Sequence, residues 1–212
     1  MNKPINLRLT PDARTRLSFC LLISLFCIVR DQPAYAAWFV NDTSATGDSY
    51  TFAPGYDTQP GSANSPFRTV SQALKSAKSG DTIYIDAGLY TETVVIDTDY
   101  ISLIGKDSNT TVIDPPGANW VSGLYGIYAA NRTGLAIKDL GVMGANIGIR
   151  LENVDRSTVS GDSVTSCGNT GISLVNGSDT NTLIGNMAVS NSSYGIYLSS
   201  SSNNALSGNT AG

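Results

Sequence analysis

Gly126-Ile127-Tyr128-Ala129, Gly148-Ile149-Arg150-Leu151, Gly171-Ile172-Ser173-Leu174 and Gly195-Ile196-Tyr197-Leu198 are copies of one pattern, G-I-x-[LA], with glycine-to-glycine steps of 22, 23 and 24 residues. A second register, Ile137, Val159, Leu183 and Leu206, recurs at 22, 24 and 23. Its last three members are each followed by Ser or Ile, then Gly, then Asp or Asn. Repeats this short cannot bury an apolar face alone, so each copy must stack on its neighbours. Within each copy apolar residues alternate with polar or small ones, the two-residue period of a strand, and no helical period competes. Three short strands per coil, stacked coil on coil, make an all-β, single-stranded, right-handed parallel β-helix. Ile127, Ile149, Ile172 and Ile196 then form an inward aliphatic stack. A sandwich has no reason to repeat, and a leucine-rich horseshoe needs a leucine-dense strand that is missing.

The rest of the chain agrees with this architecture. Thr82–Ile85, Thr93–Ile96, Ile101–Ile104 and Thr111–Ile113 read as short β-branched strands between Asp, Gly and Asn turns. Roughly half a dozen coils fit between Ile83 and Gly212 at ~23 residues each. Asn131, Asn153 and Asn176, at steps of 22 and 23, are placed to form an asparagine ladder, each amide bonding its copies above and below. Residues 37–64 read as a lead-in loop after one short strand, Trp38-Phe39-Val40. A helix is predicted over 65–80, capped by Ser65 with Pro66 at its first position, stopped by Gly80, and apolar on the face of Val70, Leu74 and Ala77. Laid across the end of the solenoid over 81–212, it would cover core and unpaired backbone. No closing helix follows Asn209, so the repeat is expected to continue beyond this sequence.

The first residues carry a different message. Lys3, Arg8, Arg14 and Arg16 precede an apolar run from Leu17 to Val29, and Ala34-Tyr35-Ala36 ends the segment. This is the three-part form of a secretory signal spanning 1–36, cleaved after Ala36. The run is 13 residues, short of the ~20 that span a bilayer, and no transmembrane segment is expected after cleavage. Removal takes 5 of 13 basic and 2 of 17 acidic residues, leaving 8 minus 15, a net charge of −7. So acidic a domain is a poor partner for nucleic acid. Only Cys167 survives processing, so no intrachain disulfide forms, and the absence of histidine removes imidazole bases and His metal sites together.

Asn64-Ser65-Pro66-Phe67-Arg68-Thr69-Val70, Ala73-Leu74, Gly80-Asp81-Thr82-Ile83, Gly88-Leu89-Tyr90 and Glu92 resemble the opening segment of pectin-lyase-like β-helix proteins. Asn191-Ser192-Ser193-Tyr194-Gly195-Ile196-Tyr197-Leu198 and Leu206-Ser207-Gly208-Asn209 resemble NosD-type repeats. The likeness runs over 64–212. It implies the β-helix fold and leaves three functions open: an exported surface for carbohydrate or cell-surface glycans, a polysaccharide lyase or hydrolase, and a periplasmic copper-accessory protein. The same scaffold hosts all three.

The resemblance directs attention to the flat sheet face, where relatives bind glycans. If the isoleucine of G-I-x-[LA] points in, the third residue points out. Tyr128, Arg150, Ser173 and Tyr197 then share a column ~4.8 Å apart from coil to coil, with Glu152 on the same face. Such a stripe can stack sugar rings and pair a carboxylate. A pectate-type site needs acidic Ca²⁺ ligands with an Arg or Lys base; Lys138, Asp139, Asp155, Arg156, Asp162 and Asp179 are the candidates, and they read as turn residues. No catalytic set is assembled. Copper wants Cys, Met or His, and Cys167, Met143 and Met187 have unrelated spacings. Asp42, Asp48 and Asp57 are the candidate Ca²⁺ ligands of the lead-in. They lack the dense alternation of a calcium loop and read as a solvated segment, so no resident cofactor is expected. The oligomeric state is left open.

Overall fold

The computed structural model describes residues 35–212; the secretory signal expected over 1–36, apart from its last two residues, lies outside the described residues. The chain winds a right-handed parallel β-solenoid of about 6 turns. Every strand pair is parallel and every strand belongs to one of three sheets. The seven-stranded sheet holds Ala37–Val40, Thr82–Ile85, Ser102–Gly105, Ala136–Lys138, Thr158–Ser160, Thr182–Ile184 and Ala205–Ser207. The six-stranded sheet holds Gly88–Tyr90, Thr111–Ile113, Gly141–Met143, Ser163–Thr165, Met187–Val189 and Thr210–Ala211. The five-stranded sheet, which carries the outward stripe, holds Val94–Ile96, Tyr125–Thr133, Ile147–Asp155, Thr170–Val175 and Tyr194–Ser199.

The G-I-x-[LA] copies superpose. Val94 pairs with Ile127, Ile127 with Ile149, Ile149 with Ile172, and Ile172 with Ile196. The first four of these are fully buried. The second register stacks likewise, Leu103 on Ile137, Val159, Leu183 and Leu206. The glycine that opens each copy serves packing rather than a turn. A Cβ on Gly148 would lie 2.2 Å from Val164 Cγ1 and 2.8 Å from the Gly171 carbonyl oxygen. Only hydrogen fits where the corner between the six- and five-stranded sheets closes on the core.

Corner lengths explain the uneven repeat. Ile137 to Val142, Val159 to Val164, Leu183 to Ala188 and Leu206 to Ala211 are all steps of 5. From the six- to the five-stranded sheet the steps vary, 7 for Val142 to Ile149 and 8 for Val164 to Ile172, against 14 for Ile113 to Ile127. That last step contains a corner insertion tipped by Trp120, 77% exposed.

The helix is shorter than predicted, Val70–Ser76, with Thr69 as N-cap. Ser65 does not start it, because Ser65 bridges to Ser62 and Phe67 is extended, paired in parallel with Val40. Phe67 N–H donates to the Phe39 carbonyl and its own carbonyl accepts from Asn41 N–H, both at 2.9 Å. Those backbone bonds extend the seven-stranded sheet by one bridge and delay the helix. At the other end Ala77 is already extended, and Gly80, at φ +95, shapes a later turn. Val70, Ala73 and Leu74 are buried, packing the helix against the strands at 37–40, 82–85 and 94–96.

The asparagine ladder also needs correction. Asn131, Asn153 and Asn176 share left-handed backbone, φ 55, 51 and 56, and Asn153 Nδ2 donates to Asn131 Oδ1 at 2.8 Å. Asn176 instead donates to Glu152 Oε1 at 2.9 Å, a charged acceptor stronger than a neutral amide oxygen. The continuous ladders lie at inward corners. Leu135 N–H donates to Ser157 Oγ, Ser157 N–H to Asn181 Oδ1 and Asn181 N–H to Asn204 Oδ1, at 2.9, 2.9 and 2.8 Å. A second runs through Asp162, Asn186 and Asn209. They satisfy buried N–H groups that no sheet reaches.

Candidate binding face

The outward column of the five-stranded sheet is continuous. Val95, Tyr128, Arg150, Ser173 and Tyr197 are register partners on five successive strands. A neighbouring column holds Tyr125, Ile147, Thr170 and Tyr194. The two columns carry paired aromatic rings, Tyr125 on Tyr128 at 4.9 Å and Tyr194 on Tyr197 at 5.0 Å between centroids. Sequence reasoning missed Tyr125 and Tyr194. The signal was present: the residue before each repeat glycine recurs in phase, as Tyr, Ile, Thr and Tyr.

Between the tyrosine pairs the face changes character. Arg150 Nη2 lies 3.2 Å from Glu152 Oε2, and its guanidinium carbon sits 5.7 Å from the Tyr125 ring centroid. Glu152 also accepts from Asn176, and from the Tyr128 hydroxyl at 3.4 Å. The Asn176 hydrogen bond, with the Arg150 contact added, holds the Glu152 carboxyl below its ordinary value. Partial burial and then the Glu152 charge push the Tyr128 hydroxyl up. The stripe therefore contains a charge that is already met.

One coil further, the column drops to a small side chain. Ser173 is 2% exposed and Thr170 4%. They floor a hollow of ≈ 260 Å³ lined by Ile147, Arg150, Asn169, Tyr194 and Tyr197. Among the described residues, the Ser173 hydroxyl has no hydrogen-bond partner, while Thr170 Oγ1 donates to Asn169 Oδ1 at 3.2 Å. This is a slot one coil wide.

A larger hollow of ≈ 410 Å³ lies beside the helix, among Asp42, Asp57, Arg68 and Glu92. Its carboxylates are committed. Asp57 accepts from the Arg68 and Thr69 N–H groups, and Glu92 from those of Val70 and Ser71. Asp42 caps Ser44 N–H and Asp48 holds the Asn41 amide. The three lead-in aspartates thus tie the loop together separately, and no His, Cys, Asp and Glu cluster able to hold a metal forms among the described residues. The pectate-type candidates also disperse. Asp155 Oδ1 accepts from Asp179 N–H at a corner, Arg156 donates to Thr133, and Asp162 is buried. Lys138 and Asp139 belong to the seven-stranded side.

The soft donors fare no better as copper ligands. Cys167 is buried, and burial pushes its thiol up to about 12. Met143 shares a register column with Thr165 and Val189, whereas Met187 pairs with Ser163 and Thr210. Two coils and two columns separate the thioethers, too far for one metal at thioether bonding distance. The described residues do not fit a copper site.

Among solved structures, the chain is similar to the pectate lyase Pel9A, at 20% identity over 76% of this chain and 42% of that one, TM-score 0.47. It is also similar to a pectin methylesterase in complex with a hexasaccharide, at 17% identity over 73% and 49%, TM-score 0.46. The pectin methylesterase PemA from Erwinia chrysanthemi matches at 15% over 74% and 56%, TM-score 0.43. The chain spans about half the length of these structures. No curated protein matches it, and no helix among the described residues is long and apolar enough to cross a membrane. The family profile described as "Periplasmic copper-binding protein (NosD)" matches residues 74–212, more than half of the chain, and so the chain belongs to the NosD family.

Proposed function

We propose that this protein is an exported β-helix that uses the outer face of its five-stranded sheet to recognise carbohydrate, on a polysaccharide or a cell-surface glycan. The observation that carries this reading is the two outward tyrosine pairs, Tyr125 with Tyr128 and Tyr194 with Tyr197, the second lining a hydroxyl-floored slot that Arg150 bounds on its other side. Aromatic faces beside hydroxyls and an amide supply stacking and hydrogen bonding to a sugar. The amino-terminal signal and the periplasmic setting of the family support export. A glycan array followed by calorimetry on the secreted chain tests the reading. Binding to at least one polysaccharide, weakened by Tyr128→Ala and by Tyr197→Ala, is expected. Silence across plant, algal and bacterial glycans would defeat it.

Family membership favours a second reading, service to a periplasmic copper centre. With thiol and thioethers dispersed, that service would rest on recognising a partner rather than on ligating the ion. Copper titration followed by metal analysis should find no stoichiometric copper held by the secreted chain.

A further inference from the structure

The slot over Ser173 behaves as one absent layer in a stack. Coils repeat every ~4.8 Å, so the layers of Arg150 and Tyr197 stand ~9.6 Å apart, with only Ser173 between them. A ring lying in the Ser173 layer would have ~4.8 Å to each wall, room for the ~3.5–4.0 Å contacts of carbon surfaces and for ring pucker. The floor offers a hydroxyl, Ser173 Oγ, on a residue only 2% exposed, which bonds to no protein group among the described residues and opens onto the hollow. A ligand hydroxyl entering there can take the place of water on it.

Charge narrows the ligand. Arg150 is engaged by Glu152 through Nε at 3.3 Å and Nη2 at 3.2 Å. Among the lining residues, Arg150 is the only one with a charged side chain. A uronate carboxylate entering the slot would find its cation already paired and Glu152 nearby, on a chain that is acidic overall. An uncharged ring meets no such opposition.

The corner insertion supplies the rim. Asn119 Nδ2 donates to the Ser166 carbonyl at 3.2 Å, and Asn146 Nδ2 donates to the Asn119 carbonyl at 3.0 Å. A Cβ on Gly168 would lie 2.0 Å from that carbonyl oxygen and 3.0 Å from Trp120 N. The insertion is thus laid against the residue before Asn169, which lines the slot, and brings the Trp120 backbone to the same corner.

Resting on the carbohydrate reading, we infer that the slot takes a single uncharged sugar ring as the missing layer, between Arg150 and the Tyr194–Tyr197 pair, with Trp120 at its mouth. Tryptophan emission reports on it, because the chain's other tryptophan, Trp38, is stacked on Phe67 and bonded to Asp81 far along the solenoid. The experiment titrates the full secreted chain with cellohexaose, xylohexaose, mannohexaose and hexagalacturonate. A saturable emission change with a neutral hexasaccharide, at least about tenfold tighter than hexagalacturonate, is expected. Ser173→Tyr fills the layer and should abolish that change while the circular dichroism spectrum is kept. Tyr197→Ala, which removes a wall, should weaken binding about tenfold and serves if Ser173→Tyr fails to fold. Tighter hexagalacturonate binding, or neutral binding untouched by both variants, would overturn the inference. If the array finds glycans whose binding depends on Tyr128 but not on Tyr197 or Ser173, the slot fails and the face survives. Absence of any glycan binding removes both.

Discussion

Asp162 N–H donates to Asn186 Oδ1 at 3.0 Å, and the Asp162 carboxylate repeats the contact one coil down, Oδ1 accepting from Leu140 N–H at 2.8 Å. The pair shows what an aspartate does in an asparagine's place. Asn186 completes its bonding by donating from Nδ2 to the Val159 carbonyl at 2.9 Å. In the matching geometry Asp162 would aim Oδ2 at the carbonyl of Ile137, the register partner of Val159. That oxygen is buried without a partner. A buried acceptor that meets no donor is costly, most of all when it is charged. Burial pushes the Asp162 carboxyl well above its ordinary value and the Asp139 charge adds to this, against the Leu140 and Ser160 N–H groups that lower it.

Replacing Asp162 with Asn should therefore stabilise the fold, by about 1–3 kcal/mol at neutral pH, by restoring the missing donor. The sign follows from linkage. A carboxyl whose folded value is raised favours folding fully below its unfolded value, ~3.9, and that contribution declines as pH rises toward the folded value. Urea melts of parent and Asp162→Asn from pH 4 to 8 should diverge upward in pH. Parallel curves would show that Asp162 is ionised in the fold.

Ile149→Asp or Ile172→Asp should abolish soluble expression, since each sets an unpaired charge in the fully buried aliphatic stack. The milder Ile172→Ala should cost about 2–5 kcal/mol, read as a lower urea midpoint.

Gly148→Ala tests the close approach at the repeat glycine. Its Cβ has nowhere to go, and overpacking of this kind costs about 1–3 kcal/mol. At Gly185 the surroundings are open, with nothing within 4 Å of a built Cβ, so Gly185→Ala pays only for its left-handed backbone, φ +64, about 1 kcal/mol. Thermal melts should rank Gly148→Ala below Gly185→Ala.

Tyr197→Ala should leave the melt within about 0.5 kcal/mol of the parent, because the ring is 37% exposed and points away from the stack. A large loss of stability would reverse the inward and outward assignment of the whole sheet.

The coil and its inward stack were legible in the sequence because a parallel solenoid must put like residues over like. Tyr128, Arg150, Ser173 and Tyr197 fell into one column for the same reason. What escaped were features set by contact rather than by period. The helix start moved because Phe67 found a sheet partner in Val40, an event between residues 27 apart. Asn176 left its ladder because Glu152, one coil away, accepts more strongly. Trp120 sits in an insertion with no counterpart in other coils, and its only trace was the wide step from Ile113 to Ile127.

The five-residue join between the seven- and six-stranded sheets never varies over the last four coils, while the other two joins do. Over those coils, differences in length are taken up at the other two joins, which act as elastic hinges. Appendages such as the Trp120 loop sprout from the sheet border at no cost to threading, so ligand preference can drift while the spine keeps its frame.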